Sequence, residues 1–181
     1  MKRFIILGLS AIALLTTACS NNREREIAAI ENLRQELSPR EIISDDPDVT
    51  RLLDLYSKFA AHFPDDSLAP IYLRDAADMN ISIGNSLQAV ELLDTVISLY
   101  PGFDDLGGCW FLKGYAFEMA ELYDSARTAY TYFVDNFPEH VQAPSTRIAL
   151  ERNLIGASQE ELINYLLETA NDSNLAVNAA N

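Results

Sequence analysis

The sequence predicts an all-α protein built as an α-solenoid of stacked antiparallel helix pairs. Three aromatic–proline pairs, Phe63-Pro64, Tyr100-Pro101 and Phe137-Pro138, recur at intervals of 37 residues. Between them, the apolar residues follow the three-to-four spacing of helices and not the alternation typical of strands. Because one helix pair of this size cannot bury its own apolar face, repeated pairs are expected to stack on each other.

Each period divides into two helices joined by a short turn. The helices are predicted over 70–83, 87–99, 108–121 and 125–137, with a preceding helix at about 48–62 and a final pair at 144–155 and 158–168. Gly84-Asn85-Ser86 forms the first turn and offers a polar cap to the helix that follows. Asp124 is the predicted cap in the next period, and each proline ends a unit.

These units resemble the tetratricopeptide repeat family. The matching positions are Trp110, Gly114, Phe117, Ala126, Tyr130 and Pro138 in the unit 107–138, Ala89 and Pro101 in the unit 70–101, and Tyr56 and Pro64 before it. Lys113 and Phe133 depart from the pattern, which has Leu and Ala there. The resemblance covers 48–168 and implies about two clear and two degenerate repeats. Small residues at 114 and 126 would let the two helices of a pair approach closely, while the large aromatic residues fill the space between pairs.

Residues 1–18 have the pattern of an export signal. Lys2 and Arg3 precede an apolar run over 4–15, which is shorter than the roughly 20 residues that span a bilayer. Thr17 and Ala18 lead into Cys19, and this junction resembles a bacterial lipobox, although Thr16 stands where that motif usually has Leu. The resemblance implies a chain anchored by a lipid on Cys19 to the outer membrane of a Gram-negative envelope, with the periplasmic side favoured. The alternative is an ordinary signal peptide followed by a chance cysteine.

The rest of the chain divides around the repeat domain. Residues 19–47 contain an amphipathic helix over 23–37, with Ile27, Ile30, Leu33 and Leu37 on one side, followed by a polar loop. This helix either caps the repeat array or engages a partner or a second copy. Residues 169–181 are small and polar, and we expect a disordered tail.

Composition narrows the function classes. A formal net charge of −14 argues against nucleic acid binding, which depends on Lys and Arg at phosphates. Two Cys, two His and seven Gly argue against a zinc site, a disulfide framework or a glycine-rich nucleotide loop. His62 and His140 are expected to be exposed loop residues, and Cys109 a small buried residue. We find no catalytic constellation and therefore predict no enzyme, cofactor or metal.

Binding is the predicted activity. In tetratricopeptide proteins the first helix of each pair lines the concave face, and this rule, transferred by position, gives a groove of Arg74, Asp78, Phe111, Tyr115, Glu118, Met119, Ile148 and Arg152. A groove of mixed aromatic and charged residues suits a peptide or partner helix, although Phe111 and Met119 could equally be packing residues. Asp78 takes the place of an Asn in the family's clamp for C-terminal carboxylates, which disfavours such ligands.

The chain is thus similar to the tetratricopeptide lipoproteins of outer-membrane β-barrel assembly, but shorter. The resemblance implies a lipid-anchored scaffold or adaptor for an envelope protein or peptide. Two alternatives remain open. One is a structural lipoprotein that associates with itself through the helix 23–37. The other is a ligand-binding protein or enzyme with an acidic site that has no recognisable motif.

Overall fold

The computed structural model describes residues 21–40, 43–152 and 154–157, together with 161, 163, 164, 166 and 167. Throughout these residues the regular structure is helical, which confirms the all-α prediction. The helices are α1 (21–37), α2 (Pro47–His62), α3 (Leu68–Ser82), α4 (Ser86–Leu99), α5 (Leu106–Met119), α6 (Tyr123–Asn136) and α7 (Ala143–Glu151). The predicted export signal, Cys19 and the predicted tail lie outside the described residues.

The chain forms two compact units, Met1–Phe103 and Asp104–Asn181. In the first unit α2 packs on α3 and α3 on α4, and in the second α5 packs on α6 and α6 on α7. Neighbouring helices therefore form the packed pairs that the sequence predicts. Most helix ends agree with the prediction to within two residues, but α7 ends at Glu151 and not near 155. The reason is a turn, because the amide of Leu154 donates to the carbonyl of Ala149 at 2.8 Å and closes the helix early.

Helix α1 is an integral part of the first unit. Its residues Ile30, Leu33 and Leu37 are no more than 4% exposed and lie in one core cluster with residues of α2 and α3. The members contributed by α2 and α3 are Val49, Leu52, Tyr56, Phe59, Tyr72 and Ala76. The apolar face of α1 therefore covers α2 and α3, as a capping helix would, and is not open to a partner.

Polar contacts hold α1 in this position. Arg23 pairs through its guanidinium with Asp66, in the turn before α3, and one of these contacts joins Nη2 to Oδ1 at 3.1 Å. His62 Nδ1, at the end of α2, lies 2.8 Å from Glu26 Oε1. Asp66 Oδ1 also accepts from the amide of Leu68 at 3.0 Å. The hydrogen bond from Arg23 lowers the pKa of the Asp66 carboxyl despite partial burial.

The three aromatic–proline turns have the same backbone geometry. Phe63, Tyr100 and Phe137 have φ between −130° and −124° and ψ between 53° and 61°. Each of their amides donates to the carbonyl four residues earlier, at 2.8–2.9 Å. The α region is disfavoured for the residue before a proline, and in all three turns the helix ends at that residue. The 37-residue sequence period therefore corresponds to a repeated turn structure.

The turns inside the helix pairs also repeat, but not with the predicted caps. Gly84 and Glu121, 37 positions apart, both have positive φ, 83° and 59°. After them the amides of Asn85 and Leu122 donate to the carbonyls of Asn80 and Phe117, which closes the preceding helix. Asn85 makes no side-chain cap hydrogen bond to α4. The prediction that Asp124 caps α6 is wrong, because α6 begins at Tyr123, two residues before its predicted start, and Asp124 lies in its first turn.

In the second unit, the predicted close approach at Gly114 is present. A Cβ placed on Gly114 would lie 2.5 Å from the ring of Tyr130 on α6, and Ala126 is fully buried. Tyr130 donates from its hydroxyl to Glu118 Oε2 at 3.0 Å. Trp110 packs on the cluster around Phe133, and its ring centroid lies 4.0 Å from that of Tyr132. Small residues thus set the spacing of α5 and α6, and aromatic rings fill the remaining space.

We expect Gly114→Ala to destabilise the protein by about 1–3 kcal/mol, because the added methyl group cannot fit against the Tyr130 ring without moving α5 or α6. Chemical denaturation followed by circular dichroism measures this loss. Gly102→Ala is the matched control, since a Cβ there meets no atom within 4 Å. Equal stability of the two variants would contradict the proposed packing of α5 on α6.

We expect Asp66→Ala to cost about 1 kcal/mol at pH 7, because the first turn of α3 loses its hydrogen-bonding oxygen. Since folding lowers the pKa of Asp66, its contribution is present above the unfolded pKa, near 4, and is lost as pH falls through the folded value. The difference between wild type and variant should therefore shrink below about pH 4. Ser67→Ala is the control, because Ser67 makes no side-chain cap hydrogen bond. A pH-independent difference would contradict the ionic role.

Candidate functional site

A cleft of about 380 Å³ opens in the first unit between α1 and α3. The buried side chains of Leu52 and Tyr56, from α2, form its base. Its walls come from the end of α1 and the segment after it, and from one face of α3. The wall residues are Arg34, Leu37, Ser38, Arg40, Arg74, Asp75, Asp78, Met79 and Ser82. The cleft therefore has an apolar base and walls that are mainly polar and charged.

Helical spacing explains the α3 wall. Arg74, Asp78 and Ser82 follow each other at intervals of four residues and therefore share one face of the helix. Asp75 and Met79 lie beside them on the same face. The opposite side of α3 carries Ala76, Ala77 and Asn80, which are buried. The structure therefore brings two of the predicted groove residues, Arg74 and Asp78, into one cleft wall.

Asp75 links the two walls of the cleft. Its Oδ1 accepts from Arg74 Nη2 at 2.6 Å, and its Oδ2 lies 3.3 Å from Arg34 Nη1. The Asp75 side chain is 16% exposed, while those of Arg34 and Arg74 are 42% and 33% exposed. One carboxylate therefore uses both oxygens to hold one guanidinium on each side. This arrangement connects α1 to α3 and offsets part of the positive charge of the cleft walls.

Arg40 is held in a similar way at the end of the cleft. Its Nη1 donates to Asp48 Oδ2 at 2.9 Å, and its Nη2 contacts Asp46. The hydrogen bond to Asp48 is the main cause of a raised pKa at Arg40. Asp46 in turn caps α2 by accepting from the amide of Asp48 at 2.9 Å. Arg40 thus ties the segment after α1 to the start of α2.

Asp78 differs from the other charged residues of the cleft. The residue is exposed, and its carboxylate has no ion pair or hydrogen bond with any residue that the structure describes. The Ser82 hydroxyl below it donates to the backbone carbonyl of residue 78 at 3.0 Å, not to the carboxylate. Both carboxylate oxygens of Asp78 can therefore accept from a ligand.

Tyr56 closes the base of the cleft. It is 2% exposed, and burial raises the pKa of its hydroxyl well above the ordinary value, while the charge of Arg34 opposes this effect. Its ring centroid lies 5.3 Å from that of Tyr72 on α3. The base is therefore neutral over the physiological pH range and rigidly packed.

The other predicted groove residues lie in the second unit. Phe111 is a packing residue, with its ring centroid 5.8 Å from Tyr130 and 5.6 Å from Phe133. Glu118 accepts the hydrogen bond from Tyr130. Tyr115, Met119 and Ile148 are 39%, 49% and 46% exposed, and Arg152 is an exposed residue at the end of α7. The four exposed residues are therefore surface positions of the second unit, on α5 or at α7 and its end.

Three residues that could take part in catalysis or metal binding are instead buried or paired within the fold. They are Cys109, His62 and His140. Cys109 is a fully buried thiol in α5, as predicted. His62 is exposed, as predicted, but it is the last residue of α2 and contacts Glu26. His140 was expected to be exposed and is instead largely covered: its side chain is 23% exposed, with Nε2 3.6 Å from Asp105 Oδ1 and the ring 5.2 Å from Phe133. Residue 140 takes the place of Asp66 in its turn, which brings the imidazole over Phe133.

The described residues contain neither a metal-binding cluster nor a membrane-spanning helix. No group of three or more His, Cys, Asp or Glu residues among them could hold a metal ion. None of the helices described has both the length and the apolar character needed to cross a bilayer.

No family model, curated protein or solved structure matches the chain. The class of the protein is therefore defined by its own sequence and structure. Those features define an all-helical protein of packed helix pairs, with a cleft between α1 and α3. Sequence reasoning missed Arg34, Arg40 and Asp75 in that cleft. Asp75 could have been found from its position on the α3 face, but the arginines required knowledge that α1 packs beside α3.

Proposed function

We propose that this protein is a lipid-anchored envelope scaffold of the tetratricopeptide type, which binds a segment of a protein partner. The cleft between α1 and α3 is the observation that carries the proposal. It lies between α1 and α3, which would be the first helices of successive repeats in the proposed array, and it contains Arg74 and Asp78, two of the residues predicted to line the concave face. Its volume, about 380 Å³, is in the range of ligand-binding clefts.

The repeated turns support the solenoid part of the proposal. Phe63, Tyr100 and Phe137 have the same backbone conformation, and the turns at Gly84 and Glu121 are equivalent. The pairs α3–α4 and α5–α6 then represent the two clear repeats. Helices α1–α2 form a degenerate first pair, whose connection over 38–46 is longer than the three residues that join α3 to α4. Helix α7 begins a degenerate last repeat.

The anchor follows from the sequence before α1. In the proposal, Cys19 carries the lipid, and it precedes the described helix by only two positions. A lipid there would hold the N-terminal end of the first unit at the periplasmic side of the outer membrane. The formal net charge of −14 would keep the body from lying flat on anionic lipid, which leaves the cleft accessible to proteins.

The two alternatives have less support. Self-association through the helix 23–37 would need its apolar face, and that face is buried against α2 and α3. An enzyme or small-ligand protein would need a reactive or metal-binding group, and the only carboxylate of the cleft walls that makes no ion pair with described residues is Asp78. Binding of a partner segment requires neither a reactive group nor a metal-binding group.

Photo-crosslinking in cells tests the cleft directly. We expect p-benzoylphenylalanine in place of Ser82 to give a crosslinked complex with an envelope protein, because this residue lines the cleft. The same replacement of Ser57 should give none. Ser57 is a matched control: both serines are exposed and helical, and both donate to the carbonyl four residues earlier at 3.0 Å, but Ser57 does not line the cleft.

Two results would contradict this proposal. Equal crosslinking from the two positions would show that the cleft has no special role, and absence of any complex from position 82 would show that it binds no protein. Cell fractionation of the same strains tests the anchor separately. Cys19→Ala should move the chain from the membrane to the soluble fraction, and a chain that stays in the membrane fraction would refute lipidation at this residue.

A further inference from the structure

We propose that the segment bound in the cleft is basic, with a Lys or Arg side chain whose charged group pairs with Asp78. This inference rests on the proposed function, because it specifies the chemistry of the partner in the same cleft. It concerns which charge the cleft recognises, and three features of the cleft point to a cation.

The first feature is that each arginine of the cleft already has a carboxylate partner within the chain. Asp75 gives one oxygen to Arg74 and the other to Arg34, at 2.6 and 3.3 Å. Arg40 pairs with both Asp46 and Asp48. A ligand carboxylate would meet guanidinium groups whose positive charge is already shared with carboxylates of the chain, so it would gain less than at an arginine without such partners. An acidic segment is therefore a poor occupant.

The second feature is the position of Asp78. It is the cleft carboxylate that makes no ion pair or hydrogen bond with the described residues. A carboxylate can accept two parallel hydrogen bonds from a guanidinium, or bonds from an ammonium group, without breaking any contact of the chain. A cation at this position costs the protein no existing interaction.

The third feature is the apolar surface next to Asp78. Met79 follows it on α3, and Leu37 and Leu52 line the same cleft. Leu37 and Leu52 are 3% and 1% exposed, so the apolar surface that a ligand can reach comes mainly from the partly exposed Met79. Lysine and arginine have long aliphatic stems that pack on such surfaces while the charged end stays at the rim. The cleft thus suits the whole basic side chain, not only its charge.

The charge of the molecule acts in the same direction. At −14, the chain attracts a basic segment over distances near the Debye length and repels an acidic one. This long-range effect does not depend on Asp78 in particular. A test must therefore separate the contribution of one carboxylate in the cleft from that of the overall charge.

The test uses Asp78→Asn in the full-length chain that carries the crosslinker at position 82. We expect the crosslinked complex to fall about two- to fivefold, the upper part of the range for one exposed ion pair. Asp135→Asn is the matched control, because Asp135 is an exposed helical aspartate outside the cleft and its loss changes the net charge equally. It should leave the complex unchanged. Thermal unfolding of both variants should match wild type, which excludes loss of folding.

Mapping of the crosslinked segment by mass spectrometry completes the test. We expect a Lys or Arg next to the crosslinked position in the partner. Its replacement by Gln should lower capture as much as Asp78→Asn does, and the two changes together should lower it no further, because they remove the same interaction.

Several results would overturn the inference while leaving the proposed function intact. These are an unchanged or stronger complex with Asp78→Asn, an equal loss with Asp135→Asn, or an acidic mapped segment without Lys or Arg. Failure of the proposed function is distinguishable, since it would appear as no specific complex from position 82 in the wild-type background, and it would remove the inference with it.

Discussion

The burial of α2 between α1 and α3 is the constraint on which the first unit depends. Tyr56 and Phe59 of α2 are 2% and 0% exposed, and both contact Tyr72 of α3, with ring centroids 5.3 and 4.9 Å apart. The other side of this cluster is covered by Ile30, Leu33 and Leu37 of α1. Removing three such side chains from water is worth several kcal/mol, which is comparable to the net stability of a small domain. Side chains of α1 and α3 line the cleft above Leu52 and Tyr56 of α2, so the cleft depends on this packing.

Packing and charge have separate roles in that cleft. Its base consists of buried side chains that stabilise the fold. Its walls carry ion pairs in which the arginine side chains are about one third or more exposed. Exposed ion pairs contribute little to stability, typically below about 1 kcal/mol. Their arrangement matters more for recognition, because it decides which charge remains available to a ligand. With Arg34, Arg40 and Arg74 all paired inside the chain, the cleft offers a carboxylate at Asp78 over an apolar base.

Local features of the fold could be predicted from the sequence, and features that depend on distant contacts could not. The prolines at 64, 101 and 138 end their helices through a backbone clash that acts on neighbouring residues, so the 37-residue period was sufficient to locate them. The face of α3 that carries Arg74 and Asp78 follows from helical spacing. Arg34 and Arg40 could not be assigned to the cleft, because nothing local in the sequence shows that α1 packs beside α2 and α3. Asp124 and His140 were misjudged for a similar reason: the start of α6 and the packing of the imidazole on Phe133 depend on tertiary contacts.

Hydrogen–deuterium exchange of the full-length protein, read by mass spectrometry, tests the central claim that α1 is part of the core. If α1 packs on α2 and α3, peptides covering 27–37 should exchange as slowly as those covering 52–60, because both segments open only when the shared cluster opens. Exchange of 27–37 at the rate of an isolated helix, with 52–60 still protected, would contradict the claim. In that case the cleft would lose one wall and the binding site proposed within it would not exist.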